Sequence, residues 1–253
     1  MSGAFQGIRV VSVVLALAVV AGCSGGSAKQ VTEGTPATEI IGLAEADLAN
    51  GNFKEAAEYY NEVERLHPYS VEARQALIGA AKAYREEQMY PESRAAALRY
   101  LDFYPTTSDA PFAMYLVGLS YYDQIIDVER DQRNTFKSLK VFRQLIETYP
   151  GSEYARLAEE KFGTALNQLA GKEMDIGRYY LQRGHFVAAI ERFRVVVNDY
   201  GDTPQSPEAL YRLVEGYLSL GLIGEAQAAA KLLATRYPDN EWRRDADRLM
   251  ARG

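Results

Sequence analysis

Side chains able to hold a metal or carry a nucleophilic attack are sparse in this chain, which has two histidines and one cysteine in 253 residues. His67 and His185 stand apart, with no second His, Cys or carboxylate at ligand spacing, so they read as loop residues rather than metal ligands. The acidic run Asp123, Asp127, Glu129 and Asp131 has the residue type for calcium. It lacks the turn glycine and terminal glutamate of a calcium loop, and reads as a solvated or interaction loop. No Walker loop, G-x-G-x-x-G or H-E-x-x-H occurs. The chain is therefore read as a non-enzyme, without cofactor or metal.

The one covalent modification the residues point to is at Cys23. Arg9 is followed by Val10 to Ala21, an apolar stretch of signal-peptide length, too short to span a bilayer as a permanent helix. It ends in Val20-Ala21-Gly22-Cys23, which resembles the lipobox of bacterial lipoproteins. Small residues at 21 and 22 suit a signal peptidase, and Cys23 would then open the mature chain carrying an N-acyl group and a diacylglycerol. A lone cysteine cannot form an internal disulfide. The alternative, a structural cysteine, belongs in a packed element rather than behind a hydrophobic run. Ser24 follows where an aspartate would, in the best-known sorting systems, retain a lipoprotein in the inner membrane. The expected place is thus the periplasmic face of the outer membrane. Residues 1–22 are the signal peptide, and 23–38, rich in Gly, Ser, Thr and Ala, are a flexible tether.

Such a chain works through its surface, and a recurring punctuation indicates what builds it. Helical runs are closed by His67-Pro68-Tyr69-Ser70, Tyr104-Pro105, Tyr149-Pro150-Gly151-Ser152, Tyr200-Gly201-Asp202-Thr203 and Tyr237-Pro238-Asp239-Asn240. Proline cannot continue a helix, and Ser, Thr, Asp or Asn behind it caps the next, so each mark ends one helical hairpin and opens another. The spacing from Pro68 to Pro105, and from Gly201 to Pro238, matches a tetratricopeptide period of about 34 residues plus a few loop residues. The repeat ending at Gly201 is nearly complete, with Ile176-Gly177 and Tyr180, a corner at Gly184-His185-Phe186, then Ala189 and Phe193. The first repeat (Leu43-Ala44, Gly51-Asn52-Phe53, Ala56, Tyr60, Pro68) and the last (Leu213, Tyr217, Gly221, Ala226, Pro238) agree with it. The second keeps Tyr84, Tyr90, Ser93 and Pro105 but has Gln88 where glycine would turn the corner. The third keeps Val117-Gly118 and Tyr121 and reaches Leu139, Phe142, Leu145 and Ile146 late, so an insertion precedes its second helix.

Behind a Ser152 cap no proline or turn cluster appears before Arg183-Gly184. That predicts one helix of roughly 45 Å at about 1.5 Å per residue, bent but not ended by Gly163, Gly171 and Gly177. The expected fold is all-α, an α-solenoid of about five tetratricopeptide-like hairpins. Repeats 1–3 occupy 39–150, and the long linking helix with repeats 4–5 occupies 151–253. Gly118, Ala56, Ala189 and Ala226 let helices approach while Tyr and Phe fill the space beside them. Most of the 18 tyrosines are accordingly repeat core, and a minority line a groove. A net charge of −6 without a basic stripe argues against a nucleic-acid partner.

Three segments carry a family resemblance: Asp127-Val128-Glu129-Arg130-Asp131-Gln132, Tyr149-Pro150-Gly151-Ser152-Glu153-Tyr154-Ala155, and Leu169-Ala170-Gly171-Lys172-Glu173-Met174 through Tyr180 to Arg192-Phe193. Together with the lipobox and the repeats, they make the chain resemble the BamD family of β-barrel assembly lipoproteins over essentially its whole length. It departs at His67-Pro68-Tyr69, where the family often has Tyr-Pro-Phe. The resemblance implies that repeats 1–3 form a groove receiving unfolded outer-membrane proteins by an aromatic, extended C-terminal signal. His67, Tyr69 and Tyr84 are its candidate lining. It also implies that the repeats after Gly151 dock the last periplasmic POTRA domain of the barrel subunit BamA, in company with other assembly-complex lipoproteins. Arg183 and Arg192 are the candidate contacts, because arginine makes forked bonds to carboxylates that lysine does not reproduce. Asp127, Arg130 and Asp131 mark the insertion loop. For either arginine the alternative is an intramolecular pair with Glu173 or Glu191. A pilotin-like tetratricopeptide lipoprotein for secretin or pilus assembly would share anchor and repeats but lack the insertion. A peptidoglycan-associated enzyme would need a catalytic cleft for which the repeat period leaves no room.

Overall fold

The computed structural model describes residues 31–125 and 132–251, and Thr32–Gly253 make one compact unit. Among the described residues eleven helices follow one another: α1 (Ala37–Ala49), α2 (Phe53–Leu66), α3 (Val71–Glu86), α4 (Tyr90–Phe103), α5 (Ala110–Tyr122), α6 (Arg133–Thr148), α7 (Glu153–Gln182), α8 (Phe186–Asp199), α9 (Ser206–Ser219), α10 (Ile223–Arg236) and α11 (Glu241–Met250). Each packs on the next, giving five stacked hairpins, with α11 laid on α9 and α10. This is the all-α repeat architecture expected. The helix opening the first repeat starts at Ala37, and Thr32 and Thr35 bond to each other just ahead of it. The last few residues of the expected tether therefore belong to the folded unit.

The corners obey two local rules. Within three hairpins the chain reverses through a left-handed glycine, Gly51 (φ 78°), Gly184 (φ 73°) and Gly221 (φ 73°), a conformation glycine adopts without a Cβ clash. In the second hairpin Gln88 takes the same turn at φ 59°. The tertiary stack thus overrides local preference there, at a cost of about 1–2 kcal/mol. Between hairpins, Ser70, Ser152 and Asn240 accept from the backbone N–H of Ala73, Ala155 and Trp242, as cap residues should. At the other two marks no such side-chain cap forms. Thr107 and Thr203 donate back to the carbonyls of Tyr104 and Tyr200. Here α5 and α9 instead open with Pro111 and Pro207 in the first turn.

Small residues set the helix spacing. A Cβ on Gly177 would lie 2.5 Å from the Phe193 ring and one on Gly79 2.6 Å from Tyr60, while Gly118 faces Phe142 and Gly216 faces Ile190 in the same way. Four tyrosines are buried, twelve lie half-buried along the hairpin seams, and only Tyr69 and Tyr179 are exposed, so the tyrosines are chiefly packing residues.

The exception to the regular hairpin is α7, unbroken over 30 residues with Gly163, Gly171 and Gly177 inside it. At about 1.5 Å per residue it runs roughly 45 Å. Its first half receives repeat 3: Phe112 and Tyr115 of α5 stack near Tyr154, and Leu139 of α6 packs with Ala165 and Leu169. Its second half holds α8, through Gly177 against Phe193 and Glu173 against Arg192. Repeats 4 and 5 are therefore displaced along α7 from repeats 1–3.

Candidate functional site

His67 and Tyr69 sit at the corner between α2 and α3. His67 Nε2 donates to the carbonyl of Thr35 at 2.8 Å, which ties that corner to the start of α1. Tyr69 beside it is fully exposed and Val71 is nearly so. Tyr84 lies elsewhere. It is near the C-terminal end of α3, about 20 Å along the helix from Val71. Its hydroxyl accepts from Asn61 Nδ2 at 2.6 Å, and its ring packs on Ala56, Ala57 and Ala83. Burial pushes its phenol pKa up, and the Asn61 bond opposes the rise. The three residues thus occupy two patches of the first repeats: an exposed aromatic corner, and a polar seam continued by Arg99, which reaches Glu64 at 2.9 Å.

The second surface lies where α7 meets α8. Arg192 Nη1 donates to Glu173 Oε2 at 3.0 Å, and the Glu173 side chain is only 13% exposed. The intramolecular alternative is thus realised at Arg192. Arg183 makes no such pair among the described residues. Its guanidinium lies 4.2 Å above the half-exposed ring of Tyr179, which meets Tyr180 edge to face. A shallow groove is lined by Lys172, Asp175, Ile176, Tyr179 and Tyr180 and closed on the α8 side by Arg192. Ile176 and Tyr179 line this groove and were not among the candidate site residues. Their three- and four-residue spacing on one long helix was the available signal.

A third cleft opens where the displaced repeats part, between exposed Phe136, Leu139 and Arg143 of α6, Leu166 of α7 and Tyr200 behind α8. Arg143 lies over the Phe162 ring at 5.5 Å. Cys23, Asp127, Arg130 and Asp131 lie outside the described residues. Among the described residues, no three His, Cys, Asp or Glu side chains converge as a metal site would require, and no helix is long and apolar enough to cross a membrane.

Stacked hairpins of this kind define a tetratricopeptide-type repeat fold. The family model described as outer membrane lipoprotein, YfiO, matches residues 34–232. The outer membrane protein assembly factor BamD of Caulobacter vibrioides is 40% identical over 97% of this chain and 82% of that protein. Its counterpart in Rickettsia prowazekii is 37% identical over 80% of this chain and 81% of that protein. The chain belongs to the BamD family of outer-membrane protein assembly factors.

Proposed function

We propose that this protein is a non-enzymatic, lipid-anchored scaffold on the periplasmic face of the outer membrane that brings unfolded outer-membrane proteins to a barrel subunit. Lipid on Cys23 holds it at the membrane. Repeats 1–3 receive aromatic, extended substrate segments at the corner carrying Tyr69 and along the Tyr84 seam. Repeats 4 and 5 dock a POTRA domain of the BamA-like subunit beside other assembly lipoproteins.

The observation that carries this reading is the division of the exposed aromatic surface. Tyr69 lies at the first repeat and Tyr179 near the C-terminal end of the long helix that displaces one set of hairpins from the other. Two surfaces so placed can hold two partners at once. Tyrosine with arginine is the composition in which interface energy concentrates. The test is a mild-detergent isolation of the mature protein. Recovery of a POTRA-bearing barrel protein is the expected result, and recovery of a secretin instead would assign the scaffold to a different assembly. Tyr69→Ala should lower photo-crosslinking to aromatic C-terminal peptides and leave recovery of the barrel subunit unchanged.

A further inference from the structure

Successive helices of the first two repeats alternate in direction, so four chain ends meet at one edge: α1 opens there at Ala37, α2 closes at Leu66, α3 opens at Val71 and α4 closes at Phe103. The inner corners at Gly51 and Gln88 lie at the opposite edge, about 20 Å away along the helices. The three most exposed large apolar side chains among the described residues all fall on the first edge: Tyr69 is 100% exposed, Val71 72% and Phe103 67%. Val187, next at 65%, stands at the inner corner of the fourth repeat. The aromatic surface is rooted in the core, since the Phe103 ring lies 6.2 Å from that of Tyr104 and Tyr104 5.4 Å from buried Tyr100. Apolar groups gathered outside a core mark a place of contact.

What covers this edge follows from where the chain enters it. His67, two residues before Tyr69, bonds to the carbonyl of Thr35 at 2.8 Å, and Thr35 stands twelve residues after Cys23. A fully extended chain covers at most about 3.6 Å per residue, so lipid on Cys23 keeps Thr35 within about 43 Å of the bilayer. We infer that the edge carrying Tyr69, Val71 and Phe103 is itself a membrane-contact surface, lying in the headgroup region of the leaflet that holds the Cys23 lipid. A tyrosine ring with its polar tip settles at headgroup depth, and Val71 and Phe103 bury apolar area beside it. The charges around them are of both signs: Arg65 is paired with Glu62 at 2.6 Å, and Glu72, Arg74 and Asp102 lie close by in the sequence. No cluster of lysine and arginine accompanies the aromatics, so the surface matches zwitterionic phospholipid rather than an anionic one. A substrate segment received at Tyr69 is then held at the level of the bilayer.

This inference rests on the lipid anchor of the proposed function, and the experiment separates the two. Tyr69→Cys, Phe103→Cys and, as an equally apolar control at a distant corner, Val187→Cys are made singly in the full lipidated chain, whose Cys23 sulfur is occupied by its thioether. Each new thiol is tagged with a nitroxide, and the protein is placed in vesicles of phosphatidylethanolamine and phosphatidylcholine. Collisions with oxygen, which concentrates in lipid, are compared with collisions with a water-soluble nickel chelate. Oxygen should dominate at 69 and 103, and the nickel chelate at 187. Adding Phe103→Glu should return the label at 69 to the aqueous pattern with unchanged circular dichroism, since Phe103 is exposed. Aqueous behaviour at 69 and 103 with the protein still bound to vesicles would overturn the contact and leave the anchor standing. Shielding from both collision partners would place a protein chain on this edge, a second copy included, and would overturn it equally. Labelling of Cys23 itself, with the protein free of the vesicles, would remove the anchor and this inference together.

Discussion

Replacing Arg192 by alanine tests whether that residue is structural, part of the interface, or both. The guanidinium is partly solvated, with the side chain 42% exposed, whereas its partner Glu173 is 13% exposed. Removing the arginine leaves a carboxylate largely out of water beside the α7–α8 seam. A fully buried pair broken in this way costs about 3–5 kcal/mol, and an exposed pair about 0–1 kcal/mol. With one partner solvated, the expected loss is about 1–2 kcal/mol. For a domain of this size about 1 kcal/mol moves the midpoint by about 2–4 °C, so Arg192→Ala should melt roughly 2–8 °C lower. Arg192→Glu should be worse, because it sets a second carboxylate against Glu173. The assay is thermal and urea unfolding of the single variants Arg192→Ala and Glu173→Gln and of the double variant. Most of the loss should appear as coupling between the two sites. Coupling near zero, with an unchanged midpoint for Arg192→Ala, would refute the reasoning and return Arg192 to the free surface. The consequence for binding work is direct: loss of partner by Arg192→Glu reports on the interface only after its stability has been measured. Arg183→Glu carries no such ambiguity.

Three further outcomes are expected. Gln88→Gly relieves a left-handed corner and should raise urea-unfolding stability by about 0.5–1 kcal/mol, the conformational gain being partly offset by glycine's entropy in the unfolded chain. Gly118→Ala places a methyl against the Phe142 ring and should cost about 1–3 kcal/mol in the same assay, because a packed seam has no room to expand. Cys23→Ala should move the protein from the membrane to the soluble or unprocessed fraction, since stable attachment takes more than one acyl chain; membrane fractionation in cells lacking the other assembly components checks it.

The repeat corners, the late start of α6 and the unbroken α7 were legible because each depends on local chemistry, such as a proline, a cap serine or the absence of a turn. Gln88 shows the limit of that logic. The residue argues against a tight corner, and the corner forms anyway, because the buried surface of α3 and α4 outweighs about 1–2 kcal/mol of local strain. The cap offered by Thr203 failed for a related reason: a proline in the first turn of the next helix already serves that end, which frees the threonine to bond backward. The site was less legible than the fold. Both arginines stood out as residue types, but which of them is engaged internally depends on the register of α8 against α7. That register is set by Phe193 entering the space above Gly177, and it places Arg192 opposite Glu173 and leaves Arg183 over the Tyr179 ring without a carboxylate partner among the described residues.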